Sequence, residues 1–163
     1  VLSQPTIEQA IEVATNKDIA YSFHLNLGSV KEKRLVAVDV CTEATDTQET
    51  KGLFLQTNHF VLPGTKHLEQ IVYKAGGSSD SRYQVLAEGT KTLPPVDQIE
   101  ERHLIGLLSS HEAVTPPYSP CRHPDKRDMS RTLATAVFNL TQGTFHLYEG
   151  NPCKGRKREV DIT

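Results

Sequence analysis

Ala20-Tyr21-Ser22-Phe23-His24-Leu25-Asn26-Leu27 and Arg34-Leu35-Val36-Ala37-Val38-Asp39-Val40-Cys41 are the stretches that decide the fold class. In the first, Tyr21, Phe23, Leu25 and Leu27 alternate with smaller or polar neighbours, the period of two that turns one face of a strand toward a core. Gly28-Ser29 then closes it as a turn, and the second stretch is dense in the β-branched residues that suit a pleated surface. Upstream, Ile7, Ala10, Ile11 and Ala14 fall at helical spacing behind Thr6, a natural N-cap, so a short amphipathic helix opens the chain. Downstream, Gly52-Leu53-Phe54-Leu55-Gln56-Thr57 reads as a third strand, which puts Asn58-His59 at a strand end.

The second half begins after a breaker cluster, Gly76-Gly77-Ser78-Ser79-Asp80, that precedes a helical segment from Arg82 to Glu88 with Ser79 or Asp80 as cap. Pro94-Pro95 marks the next boundary. From Val96 to His111, Ile99, Leu104, Leu107 and Leu108 form an apolar stripe opposite Asp97, Glu100, Glu101 and Arg102, as on a helix that packs on a core. The Pro-rich run from Thr115 to Pro124 predicts a stiffened loop. Two strands follow, Leu133 to Leu140 and Thr144 to Tyr148, joined through Thr141-Gln142-Gly143. Residues 154–163, opening with Lys154-Gly155-Arg156-Lys157-Arg158, read as a mobile basic tail.

This order predicts an α+β domain with helices packed on a largely antiparallel sheet. A chain that opens on a helix with no preceding strand is expected to need upstream sequence or a partner subunit to complete its core. At 163 residues, 37% hydrophobic and 23% charged, the composition is that of one ordinary globular domain.

Eighteen basic against 20 acidic residues give a net charge of -2, too little to draw a polyanion or an anionic bilayer to the whole surface. Neither nucleic acid nor membrane is an expected partner. Three cysteines without a C-x-x-C pair fit free thiols in an intracellular, cytoplasmic setting. No phosphate loop, dinucleotide fingerprint or Gly-x-Ser-x-Gly elbow occurs, and no cofactor is expected.

Asn58 has two readings: an amide donor to a developing oxyanion, or a turn residue that tolerates left-handed geometry. In Ser119-Pro120-Cys121-Arg122-His123, adjacent Cys and His side chains seldom meet productively. Arg122 or Arg131 could clamp a carboxylate bidentately, or simply fix the loop by a salt bridge. Cys121-Arg122-His123 with Cys153 is the one conceivable metal cluster, and because its spacing matches no standard zinc pattern no metal site is expected.

Gln56-Thr57-Asn58-His59-Phe60-Val61, Arg82, Ser119-Pro120-Cys121-Arg122-His123, Thr135-Ala136-Val137-Phe138-Asn139-Leu140 and Gly150-Asn151-Pro152-Cys153 together resemble, in order, the acyl-coenzyme A:6-aminopenicillanic acid acyltransferase family. That family, the peptidase C45 group, includes tan-like β-alanyl-dopamine hydrolases. The resemblance implies that residues 1–153 are the C-terminal portion of one αββα N-terminal-nucleophile sandwich. There a precursor cuts itself before a Cys whose own α-amine serves as base. Asn58 matches the family's oxyanion-stabilising Asn, Arg131 best fits its binding Arg with Arg122 as the second fit, and His59 falls behind Asn58 as a supporting group. The substrate class implied is a small acyl amide or thioester, with the nucleophilic Cys supplied by an upstream segment or subunit. A non-catalytic binding or interaction module that keeps the scaffold is the alternative.

Overall fold

The computed structural model describes residues 3–16, 21–68 and 77–161. Ala20, Gly76 and the last two residues of the expected tail lie outside the described residues. The chain divides into two compact units, Val1–Val72 and Tyr73–Thr163.

The first unit holds α1 (Ile7–Ala14), β1 (Phe23–Ser29), β2 (Arg34–Val40) and β3 (Thr45–Glu49). Thr6 caps α1, its hydroxyl oxygen accepting from the Gln9 amide at 3.2 Å. The three strands form one antiparallel sheet in the order β1-β2-β3, with Leu25 opposite Val38 and Val38 opposite Thr47. Ile7 and Ala10 of α1 pack with Leu27, Val36, Val38 and Val40 as a single apolar cluster. Removing such surface from water supplies about 25 cal/mol per Å². Five consecutive residues of the central strand, Val36 to Val40, are buried.

The third strand is not the one the apolar pattern suggests. Residues 53–57 carry no sheet pairing, while the polar run Thr45-Asp46-Thr47-Gln48-Glu49 pairs with β2. β3 is an edge strand, mostly exposed, so it needs no apolar face, and polar side chains on an edge discourage pairing with other chains. Asn58 therefore sits in an irregular segment, not at a strand end.

The second unit contains α2 (Ser78–Thr90), α3 (Glu101–Leu108), β4 (Ala134–Asn139), β5 (Thr144–Glu149) and β6 (Arg156–Asp161). α2 starts ahead of the expected segment, and its N-cap, Gly77, makes no side-chain cap bond. Val96–Gln98 is a 3-10 turn, and α3 begins after Glu100, which forms a capping box with His103. The β4–β5 hairpin turns at Gly143, whose φ of 69° lies in the left-handed region that glycine enters without a steric penalty. The residues expected to be a mobile tail instead form β6, antiparallel to β5, with Leu147 opposite Arg158. Its Arg158 pairs with Glu149 at 2.8 Å.

The described residues thus give three α-helices and two three-stranded antiparallel sheets, an α+β protein as the sequence predicts. Among them, no helix is long and apolar enough to cross a membrane.

Candidate functional site

Asn58 lies exposed on a bend between Thr57 and His59. The loop closes on itself: the Thr57 hydroxyl and His59 Nδ1 are 3.1 Å apart, and the Gln56 side-chain amide donates to the His59 carbonyl. His59 thus sets the shape of the bend that presents Asn58. Beyond the bend, the chain is fastened to the sheet through Asp39, a fully buried carboxylate on β2. Asp39 accepts from the Thr65 hydroxyl at 2.6 Å and the Leu62 amide at 3.4 Å, and meets His24 Nδ1 at 2.5 Å. His24 in turn stacks on Phe54, on the other side of the bend, with ring centroids 5.9 Å apart.

A second carboxylate holds the same segment. The Gly64 amide donates to Asp46 Oδ2 at 2.6 Å, and a Cβ on Gly64 would fall 2.9 Å from that oxygen. The Asn58 loop is therefore tied down on both sides, which holds a side chain in place better than an open loop does. Asp39 was missed in the sequence. The available signal was a single carboxylate inside Val-Ala-Val-Asp-Val, since an acid buried in an apolar strand must find donors.

Arg122 and Arg131 have different surroundings. Arg122 already holds a carboxylate: one terminal nitrogen donates to Asp128 of its own loop and the other to Ser78 Oγ at 3.1 Å. Its guanidinium also lies over the Tyr118 ring, 5.6 Å from the centroid. This is the loop-fixing salt bridge that the sequence leaves open for Arg122 beside a carboxylate clamp. Arg131 is exposed, just ahead of β4.

Two of the stretches that carry the family resemblance meet in space. The Asn151 side-chain amide donates to the Arg122 carbonyl at 2.6 Å, and the Cys121 amide donates to the Ser110 carbonyl at 2.9 Å. The Cys121–His123 loop is thereby pinned to both the β5–β6 turn and the end of α3. Around it His111, Cys121, His123 and Cys153 converge, their Nε2 and Sγ atoms all within 4.8 Å of one another. The expectation of no metal-ligating set rested on spacing along the chain. The structure adds His111, which comes from the end of α3 and shares no local pattern with the rest. The third thiol, Cys41, is absorbed in a turn, donating to the Ala44 carbonyl at 3.0 Å.

A polar cluster ties α3 to the second sheet. Glu101 accepts from the Tyr148 hydroxyl and pairs with His146, whose other nitrogen meets Glu159 at 2.7 Å. Lys157 stands 3.4 Å from the same Glu101 carboxylate. Burial would raise the Glu101 carboxyl, but the Tyr148 and His146 hydrogen bonds outweigh it and leave it below the usual range. Glu159 first, then Glu101, raise the His146 imidazole. Burial, reinforced by Glu101, pushes the Tyr148 phenol up to about 12.

A model of the acyl-coenzyme A:6-aminopenicillanic acid acyltransferase family matches residues 1–154. The chain belongs to that family. The match runs through both units and includes Asn58, both arginines and the Cys121–Cys153 region. No curated protein matches the chain. At the level the family sets, the chemistry is acyl transfer or hydrolysis.

Proposed function

We propose that this acyltransferase-family chain forms part of a cysteine N-terminal-nucleophile amidohydrolase or acyltransferase. Its substrate would be an N-acyl amine or acyl-amino compound, or the matching thioester. The nucleophilic sulfur comes from outside these 163 residues. The observation that carries this reading is the engagement of every thiol present: Cys41 is bonded within a turn, Cys121 is fully buried, and Cys153 lies 3.6 Å from Cys121.

In the proposed reaction the incoming thiolate attacks the substrate carbonyl, having given its proton to its own α-amine. As the carbonyl oxygen becomes an oxyanion, the Asn58 side-chain N–H donates to it, a contact stronger in the transition state than in the bound substrate. The amine or thiol leaves with the proton, and water or a second amine then releases the acyl group. Arg131 would bind a substrate carboxylate through its planar guanidinium.

The full-length protein, incubated with a reactive acyl thioester and followed by intact-mass spectrometry and peptide mapping, tests the reading. The expected result is one acyl adduct on a cysteine outside these residues. No adduct, or an adduct on Cys41, Cys121 or Cys153, overturns it.

A further inference from the structure

We propose that His111, Cys121, His123 and Cys153 form a closed structural zinc site, a metal centre separate from the acyl-transfer chemistry. The four side chains arrive from three places: His111 beyond α3, Cys121 and His123 from the Pro-rich loop, and Cys153 from the β5–β6 turn. Four of the six distances between their ligating atoms match those around a tetrahedral ion. With Zn–S about 2.3 Å and Zn–N about 2.0 Å, a tetrahedral ion sets ligand atoms about 3.8 Å (S to S), about 3.5 Å (S to N) and about 3.3 Å (N to N) apart. Here Cys121 Sγ and Cys153 Sγ are 3.6 Å apart, and His123 Nε2 lies 3.5 and 3.4 Å from them. His111 Nε2 is 3.2 Å from His123 Nε2. The remaining pairs close within 4.8 Å.

The set is two thiols and two imidazoles, and four protein ligands leave no open position, which is the composition of a structural zinc centre. Both imidazoles present Nε2, so each can stay neutral with its proton on Nδ1. Binding releases the two thiol protons to solvent and leaves two thiolates and two neutral imidazoles around the dication, a centre with no net charge. An outer shell is present as well: the Asn151 amide reaches Cys121 Sγ at 3.4 Å, and the same amide holds the Arg122 carbonyl. Donors to metal-bound sulfur of this kind orient and tune the ligand.

The site has a clear structural task. The residues between α3 and β4 contain no helix or strand, and of these only Ser119 and Cys121 are buried. A metal crosslink between this segment and the last turn does for the second unit what a small apolar core cannot.

Elemental analysis of the full-length protein, purified under reducing conditions from zinc-supplemented cells, should find one zinc per chain bound by these residues. Cys153→Ser and His111→Ala should each lose it, while Cys41→Ser keeps it. Cobalt exchanged into the unmutated protein should show the intense ligand-field bands of a tetrahedral thiolate site, a readout that survives even if the variants fold poorly. His123→Cys, which keeps four ligands, should retain the metal. Absence of stoichiometric zinc and of cobalt bands, zinc that persists in both ligand-loss variants, or a Cys121–Cys153 disulfide in place of the metal overturns the proposal.

Discussion

The two sheets of this protein have the same number of strands and the same antiparallel order, yet they are stabilised by different means. In the first, the central strand is buried for five residues in succession and α1 closes an apolar cluster over it. In the second, β4 alternates between exposed and half-buried positions and β5 has no fully buried residue. Phe138 is 60% exposed, stacked on its cross-strand neighbour Phe145. Polar links take over there: the Glu101 cluster, the Arg122 clamp and the four-ligand site. A core excludes water without regard to direction, whereas hydrogen bonds, ion pairs and metal ligation act only at particular geometries and depend on pH.

The largest expected effect removes the fully buried carboxylate of the first unit. Asp39→Ala strips the buried acceptor from Thr65, Leu62 and His24 and should cost about 3 kcal/mol, as removal of one partner from a buried pair does. Thermal unfolding would register it as a clear fall in Tm, and a change within the error of the measurement would show that the Asn58 loop is not held from β2.

A smaller effect, of opposite character, is expected in the second unit. Glu101→Gln should cost about 1 kcal/mol and should also change the shape of the pH–stability curve. His146 is raised in the fold, so its contribution is complete below its ordinary value of about 6.5 and is lost as pH climbs through the raised one. Glu101 is lowered, so its contribution is present above the ordinary carboxylate range and is lost as pH falls through the lowered value. Removing the Glu101 charge should flatten both limbs. Unfolding curves across the two ranges would contradict the account if the variant kept the parent's alkaline decline in full.

What could be read from the sequence follows the same division. β1, β2 and the Thr6 cap were legible because burial writes its period into side-chain chemistry. β3 and β6 were not: Thr45-Asp46-Thr47-Gln48-Glu49 and Arg156-Lys157-Arg158 take their register from the neighbouring strand, and neither needs an apolar face. Leu53, Phe54 and Leu55 misled for the complementary reason, being apolar without pairing. At the site, Asn58 and its neighbours could be picked out through the resemblance, while Asp39 looked like one polar residue in a strand. Arg122 looked available because Asp128, its partner, gives no sign in the sequence of folding back on it. His111 was invisible as a ligand because no local spacing connects the end of α3 to a turn beyond β5.

If this chain lends an oxyanion donor to an acyl transfer whose nucleophile lies elsewhere, Asn58→Ala in the full-length protein reveals it most directly. Asn58 is exposed and makes no part of the core, and Tm measured on the variant separates a loss of chemistry from a loss of fold. A loss in kcat of about 10²- to 10³-fold is expected, with KM little changed, because the contact strengthens as the oxyanion develops. An undiminished kcat in a folded variant would contradict it.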